Sequence, residues 1–214
     1  MTDIWSVRAR SYVDSDAHRH GADLDTLFEW AQGAATALDV ATGGGHVARR
    51  LREAGLNVVT CDPSPGMSPD VLCLAEDLPF ADGSFDVVAC RTAAHHFSDV
   101  RQAVREMARA SADRVLLVDT VNMGDAVEEA EKLRDPSHVR NYTEGEWRGI
   151  VTDAGLRLDE IRFLEHSFEL QAWLDRTGCA GKDAARAIEL LGERVEGGRL
   201  TLAKIAIRAS RESG

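Results

Sequence analysis

Ala37-Leu38-Asp39-Val40-Ala41-Thr42-Gly43-Gly44-Gly45-His46-Val47-Ala48 is the stretch whose reading decides the fold. A short apolar run ends in three glycines and an amphipathic run follows at once, which reads as strand, tight turn and helix. The glycines permit positive φ and let a ligand come close to the backbone. The helix behind them offers unpaired N–H groups and the positive end of its dipole. In an open α/β sheet such a turn lies at the carboxyl edge of the strands, where ligands bind. Gly43-x-Gly45-x-x-Ala48 also fits the dinucleotide fingerprint, so a nicotinamide-dependent oxidoreductase is one reading. Asp39 lies inside the first strand, and a second acid, Asp62, closes the next one, 57–62.

Working outward, 45–54 reads as the helix after the turn, with Gly55 just past its end. Residues 85–91 form a nearly continuous apolar run suited to a strand covered on both faces. Residues 115–119 and 200–207 are further strands, and 156–170 contains another. Helices are expected at 23–32, 99–110 (capped by Ser98), 125–134, 171–177 and 183–195. Thr143-x-x-Glu146 is a capping box, with Tyr142 and Trp147 as a hydrophobic staple. The segment 63–70 is unusual. Its eight residues carry three prolines, and Val71-Leu72-Cys73-Leu74 reads as the third strand directly after it. A parallel crossover normally takes a dozen or more residues, usually as a helix. Eight extended residues span at most about 26–29 Å, enough to run back along a strand but not to add a helix of several turns. The helix between the second and third strands is therefore expected to be lost. The sheet face it would cover would be thinly shielded, which implies a more open ligand site there or coverage by a second copy in a homodimer.

Leu38 to Gly45 resembles the first motif of class I S-adenosylmethionine-dependent methyltransferases, Asp/Glu-x-Gly-x-Gly-x-Gly, with Ala41 in place of the first glycine. Ala75-Glu76-Asp77-Leu78-Pro79-Phe80, followed by Asp82-Gly83-Ser84-Phe85-Asp86-Val87-Val88, resembles the type 11 subfamily that includes the ubiquinone/menaquinone-biosynthesis methyltransferases. The resemblance runs from 38 to 118. It implies an α/β, Rossmann-like, doubly wound sheet of seven mostly parallel strands with an antiparallel last strand. It implies S-adenosylmethionine as cofactor and S-adenosylhomocysteine as product. Cofactor contacts then fall to Asp39, Ala41, Thr42, Gly43, Gly44 and Gly45 in the turn and to Asp62 and Pro63 at the ribose. Around the adenine stand Ala75, Glu76 and Asp77, where Cys73-Leu74-Ala75-Glu76 replaces the family's Gly-Asp-Ala-Glu. Arg91 falls at the methionine end. Asp39 has a second reading, as a ligand of the turn's own N–H groups.

Methyl transfer requires a nucleophile held in line with the sulfonium methyl, and a base helps when that nucleophile carries a proton. His95 and His96 follow the fourth strand at the ligand edge, where family members often carry a similar His-His-Phe run. His18 and Tyr12 reach the same pocket if the N-terminal segment folds over it. The expected organisation is one domain over 1–214, with a cap segment at 1–33 and an acceptor-side insert at 120–145. His138 and His166 have no evident partner.

Composition agrees with one soluble enzyme-sized domain. The chain has 214 residues, 44% apolar and 29% charged, with a net charge of −11. No basic stripe offers itself to nucleic acid, and Arg8, Arg10, Arg19, Arg49, Arg50 and Arg52 read as solvated. Four cysteines show no metal or disulfide spacing, which suits a reduced cytoplasm. No histidine, cysteine or carboxylate spacing suggests a metal, and no apolar run reaches membrane length. The expected partner is a small-molecule acceptor. A non-catalytic S-adenosylmethionine binder with the same fold is the third reading.

Overall fold

Strand β1 (Thr36–Val40) sits at the centre of the sheet, between β2 (Asn57–Asp62) and β4 (Phe85–Arg91) and parallel to both, in a computed structural model that describes residues 3–211. Residues 1–2 and 212–214, the ends of the domain expected over 1–214, lie outside the described residues. The sheet continues with β3 (Val71–Leu72) beyond β2 and β5 (Ser111–Thr120) beyond β4. Next come β8 (Arg199–Arg211), antiparallel to β5, and β6 (Leu156–Glu169), antiparallel to β8. The order β3-β2-β1-β4-β5-β8-β6 is the expected doubly wound arrangement. An eighth strand, β7 (Val195–Glu196), was not expected; the sequence pattern carries a helix to 195. Gly197 and Gly198 both take positive φ and fold it back onto β8 as a two-residue hairpin.

Side-chain alternation splits the core between the two sheet faces. Ala37, Val87 and Leu116 point to one face, where α3 (Ala22–Trp30) and α4 (His46–Glu53) bring Leu27, Trp30, Val47 and Leu51. Leu38, Val88 and Leu117 point to the other, where α5 (Val100–Ala110) and α7 (Glu144–Asp153) bring Val104, Met107, Trp147 and Ile150. The start of α7 is the expected capping box, and the Tyr142 and Trp147 rings lie 5.4 Å apart as its staple. Asp99, not Ser98, caps α5: the Asp99 carboxylate accepts from Gln102 N–H. Ser98 turns instead to Glu76, giving its N–H and hydroxyl to one carboxylate oxygen at 2.9 and 2.8 Å.

Between β2 and β3 stands a single 3-10 turn, Pro65–Met67, and no α-helix. The N-terminal helix α1 (Ile4–Val13) lies against this turn. The Ser6 hydroxyl accepts from Gly66 N–H at 2.8 Å, and a Cβ on Gly66 would come within 2.4 Å of Ser6 Cα. Asp3 Oδ2 accepts from the hydroxyls of Ser6 and Ser64, each at 2.6 Å. This edge keeps thin cover all the same, with Leu72 and Leu74 more than half exposed. After α1 comes one turn, α2 (Asp16–Arg19), then α3.

Pairing of β6 with β8 continues past the end of β5, from Lys204 down to Arg199, so this hairpin overhangs the carboxyl edge of the parallel strands. A third core gathers on the overhang. It packs Val127 and Ala130 of α6 (Asp125–Arg134), Trp173 and Leu174 of α8 (Leu170–Asp175) and Ala187 and Leu191 of α9 (Gly181–Leu191) against Leu200 and Leu202. No helix among the described residues is long and apolar enough to cross a membrane.

Candidate active site

A cavity of about 350 Å³ opens at the carboxyl ends of β1, β2, β4 and β5. The glycine turn forms one wall. Asp62 Oδ2 accepts from Gly43 N–H at 3.0 Å and its Oδ1 from Ser64 N–H at 2.9 Å, which ties the ends of β1 and β2 together. A Cβ on Gly43 would meet nothing of the described protein nearer than the Ala41 carbonyl oxygen at 4.0 Å, so this face of the turn is open for a ligand. Ala41 has φ +53°, a region that favours glycine, which explains physically why a glycine is common at this motif position. Asp39 serves the turn itself: its Oδ2 accepts from Thr42 Oγ1 at 2.6 Å and from Ala48 N–H at 3.1 Å. Burial pushes its carboxyl up to about 6 against the pull of those two bonds.

Thr42, Gly44, Pro63, Ala75 and Glu76 also stand on the cavity wall. Gly45 does not. It is the left-handed N-cap of α4, φ +71°. Asp77 is exposed and lies off the wall, because the turn that sends its N–H to the Leu74 carbonyl points its side chain outward. Glu76 is on the wall with one carboxylate oxygen already holding the loop before α5.

Arg91 lines the cavity and pairs with a buried acid, not a surface one. Its Nε and Nη2 donate to Asp23 of α3 at 2.8 and 3.0 Å, and its Nη1 donates to the His18 carbonyl at 2.8 Å. Lys204 of β8 joins the same carboxylate at 2.6 Å. Burial alone would raise Asp23, yet Lys204 and Arg91 hold it far below the usual carboxylate range. Two cations on one anion leave this floor with a surplus positive charge.

His95 follows β4, on a 3-10 turn (Ala94–His96) entered through Thr92 at φ +55°. Its Nδ1 lies 2.6 Å from Asp119 Oδ1 at the end of β5, and its backbone N–H donates to Asp119 Oδ2 at 2.9 Å. Asp119 therefore fixes the Nδ1–H tautomer and leaves Nε2 as the acceptor. Burial works against the His95 imidazolium, but the Asp119 charge and hydrogen bond outweigh it, so its pKa is raised. His96 sends Nδ1–H to the Ser137 carbonyl at 3.0 Å, and burial together with the neighbouring His95 charge holds its pKa well down. Behind them Glu128, Glu131 and His138 bring one ligand atom each within 4.8 Å of one another, a cluster no sequence spacing announced. Its carboxylates are engaged: Asn141 N–H donates to both Glu128 oxygens and its side-chain amide to Glu131. Glu128 stands 3.3 Å from His138 Nε2, and the His138 ring lies 5.3 Å from that of His95.

Helix α1 closes the cavity. Trp5 sits edge-on over His96 at 4.6 Å, and Tyr12 follows two turns later on the same side. His46 Nε2–H donates to the Tyr12 carbonyl at 2.9 Å, pinning the end of α1 to α4. Arg8 was expected in solvent but ties α1 to Asp135 at 3.0 Å and to the Thr177 carbonyl at 3.1 Å. His18 lines the cavity with its pKa held well below the ordinary range, by burial first and then by Arg176, Lys204 and Arg91. The overhang supplies a wall that sequence reasoning missed altogether: His166, Phe168, Trp173, Arg176, Leu202 and Lys204. Asp119 was missed too, although an acid closing a strand at the ligand edge is the same signal that marked Asp62.

A methyltransferase-domain profile matches residues 38–118. The uncharacterized methyltransferase YcgJ of Bacillus subtilis (strain 168) is 33% identical over 198 residues, 81% of this chain and 78% of that protein. The crystal structure of the Bacillus subtilis YcgJ protein superposes with a TM-score of 0.81 at 28% identity, over 91% of this chain and 100% of that one. A demethylmenaquinone methyltransferase of Beutenbergia cavernae is 38% identical over 98 residues, 41% of this chain and 40% of the relative. With these relatives the nicotinamide reading of the glycine turn falls away. An open face on Gly43, an acid at the end of β2 and a positively charged floor suit a cofactor that carries a ribose and a carboxylate. The chain belongs to the class I S-adenosylmethionine-dependent methyltransferases.

Proposed function

We propose that the protein methylates a small-molecule acceptor by in-line displacement, with the His95–Asp119 pair as base. The observation that carries this reading is one cavity of about 350 Å³ lined by both the glycine turn and His95, which Asp119 holds from behind. Its size falls within the roughly 300–1,000 Å³ of small-ligand pockets, and α1 closes it against a polymer. Bound S-adenosylmethionine supplies an electrophilic methyl on a sulfonium. The chain's own residues hold and orient. Gly43 and Gly44 present backbone, Asp62 accepts ribose hydroxyls beside Pro63, and Cys73, Leu74 and Ala75 flank the adenine. The surplus charge of Arg91 and Lys204 faces the methionine carboxylate. His95 Nε2 takes the acceptor's proton, and Asp119 balances the imidazolium that results. Trp5 and Tyr12 on α1 exclude water from the reacting end.

Calorimetry with S-adenosylhomocysteine and a tritiated-methyl assay on fractionated metabolites test the reading. Asp62→Ala is expected to weaken S-adenosylhomocysteine by roughly 1–3 kcal/mol, the cost of poorly paired buried hydroxyls. An unchanged affinity in a folded variant removes Asp62 from the ribose. Label entering small metabolites supports the assignment. Tight binding with no transfer to any fraction leaves the non-catalytic binder.

A further inference from the structure

The cavity carries a second positive surplus, distinct from the Arg91–Lys204 floor. Arg134 closes α6 and Arg176 follows α8, and both guanidinium groups face the cavity. Arg134 is mostly buried, its side chain 10% exposed. Its Nε donates to the Trp173 carbonyl at 3.1 Å, Nη1 stands 3.7 Å from Asp135 Oδ2, and Nη2 is buried with no hydrogen-bond partner among the described residues. Arg176 pairs with no carboxylate among the described residues, and the Tyr12 ring lies 5.9 Å from its guanidinium carbon. The Tyr12 phenol stands among Arg134, Arg176 and Arg8. Asp135 is a nearby acid whose carboxyl is held below the usual carboxylate range by Ser137 and Arg134 against its burial, and Arg8 already takes its other oxygen at 3.0 Å. Glu131, on the same wall, is pushed by burial up to about 7 and offsets at most part of a charge.

A buried cation with an idle N–H is costly unless something answers it. The cofactor brings one carboxylate, and the Arg91–Lys204 floor accounts for it. We propose that Arg134, Arg176 and Tyr12 form an oxyanion-binding subsite for the methyl acceptor, which is a small molecule with an apolar body and a carboxylate or phosphate head. Trp173, Phe168 and Leu202 beside the subsite supply the apolar surface for the body. Two guanidinium groups and a phenol suit either head, since both present oxygens to forked N–H donors. The inference rests on the methyltransferase reading for the role of the bound anion, not for its binding.

The test measures binding of 4-hydroxyphenylacetate, phenyl phosphate and the neutral 4-hydroxyphenylacetamide to the full chain by calorimetry, with and without S-adenosylhomocysteine. One or both anions are expected to bind at least about tenfold tighter than the amide, in line with a charge-assisted pair. The preferred anion identifies the head. Arg176→Met and, separately, Arg134→Met are expected to erase the preference while S-adenosylhomocysteine affinity stays put. Arg176→Lys, which keeps the charge, is expected to retain part of it, guarding against a packing defect. Equal binding of acid and amide, no binding of either anion at millimolar concentration, or a preference that survives both Met variants overturns the subsite. Loss of S-adenosylhomocysteine binding in the Met variants assigns the arginines to the cofactor's carboxylate and overturns it as well. If wild-type protein fails to bind S-adenosylhomocysteine but keeps the anion preference, the methyltransferase reading fails and the subsite stands.

Discussion

His95→Ala is expected to slow methyl transfer by about 10²–10⁴-fold, the usual contribution of a positioned general base, with S-adenosylhomocysteine affinity unchanged. The argument rests on placement. Asp119 grips His95 twice, through ring Nδ1 and backbone N–H, so the free Nε2 lone pair has one orientation, and His95 lines the cavity. His18 and His96 have their basicity suppressed by burial and neighbouring cations, so they make weaker bases. Asp119→Asn separates the roles. It keeps the shape but removes the charge that raises His95, and it allows the wrong tautomer. A general base acts in its neutral form, so with His95 in that role activity should rise with pH through a midpoint above the ordinary histidine value of 6.5. In Asp119→Asn that midpoint should move down, with a lower plateau. A His95→Ala variant that turns over the true acceptor at the wild-type rate would reduce catalysis here to positioning alone.

The sequence pattern carried the half of the molecule around the glycine turn further than the half around the β6–β8 overhang, for a physical reason. The turn at 43–45, the acid at 62, the capping box at 143–146 and the three-proline connection at 63–70 are local. Each is set by backbone freedom, a strand end or chain length, and each is found within a few residues of its expected place. The His95–Asp119 pair links the ends of neighbouring strands 24 residues apart, so it becomes visible only once β4 and β5 are set side by side. The overhang is less legible still. It depends on how far β6 and β8 outrun β5, a matter of relative length that no single segment announces, and it brings Arg176 and Lys204 into the cavity that the glycine turn also lines. Helix α1 gave little periodic signal because its inward residues, Trp5 and Tyr12, face the cavity and not a hydrophobic core.

Asp23→Asn is expected to destabilise the fold by roughly 3–5 kcal/mol, the cost of leaving buried charge uncompensated. For a chain of this length each 1 kcal/mol moves Tm by about 2–4 °C, so a loss of roughly 6–20 °C should be read in a thermal melt. Asp23 is 2% exposed and is the one carboxylate that Arg91 and Lys204 share, at distances of 2.8 and 2.6 Å. An amide keeps the shape and can still accept, but both cations then stand buried without an anion. The pair spans 68 residues to Arg91 and 181 to Lys204, so it clamps α3 to β4 and β8 across the whole chain. Its pH dependence has a definite sign. The Asp23 carboxyl is depressed on folding, so its stabilisation is present above the ordinary carboxylate value of 3.8 and is lost as pH falls towards the folded value far below. The acid limb of the wild-type stability curve should therefore be steeper than that of Asp23→Asn. Replacing all three groups, as Asp23→Leu with Arg91→Met and Lys204→Met, should recover much of the loss, because a well-packed apolar trio needs no counter-charge. Asp23→Asn melting within about 2 °C of wild type, less than the shift expected for 1 kcal/mol, would show that the two cations find other compensation in the cavity floor.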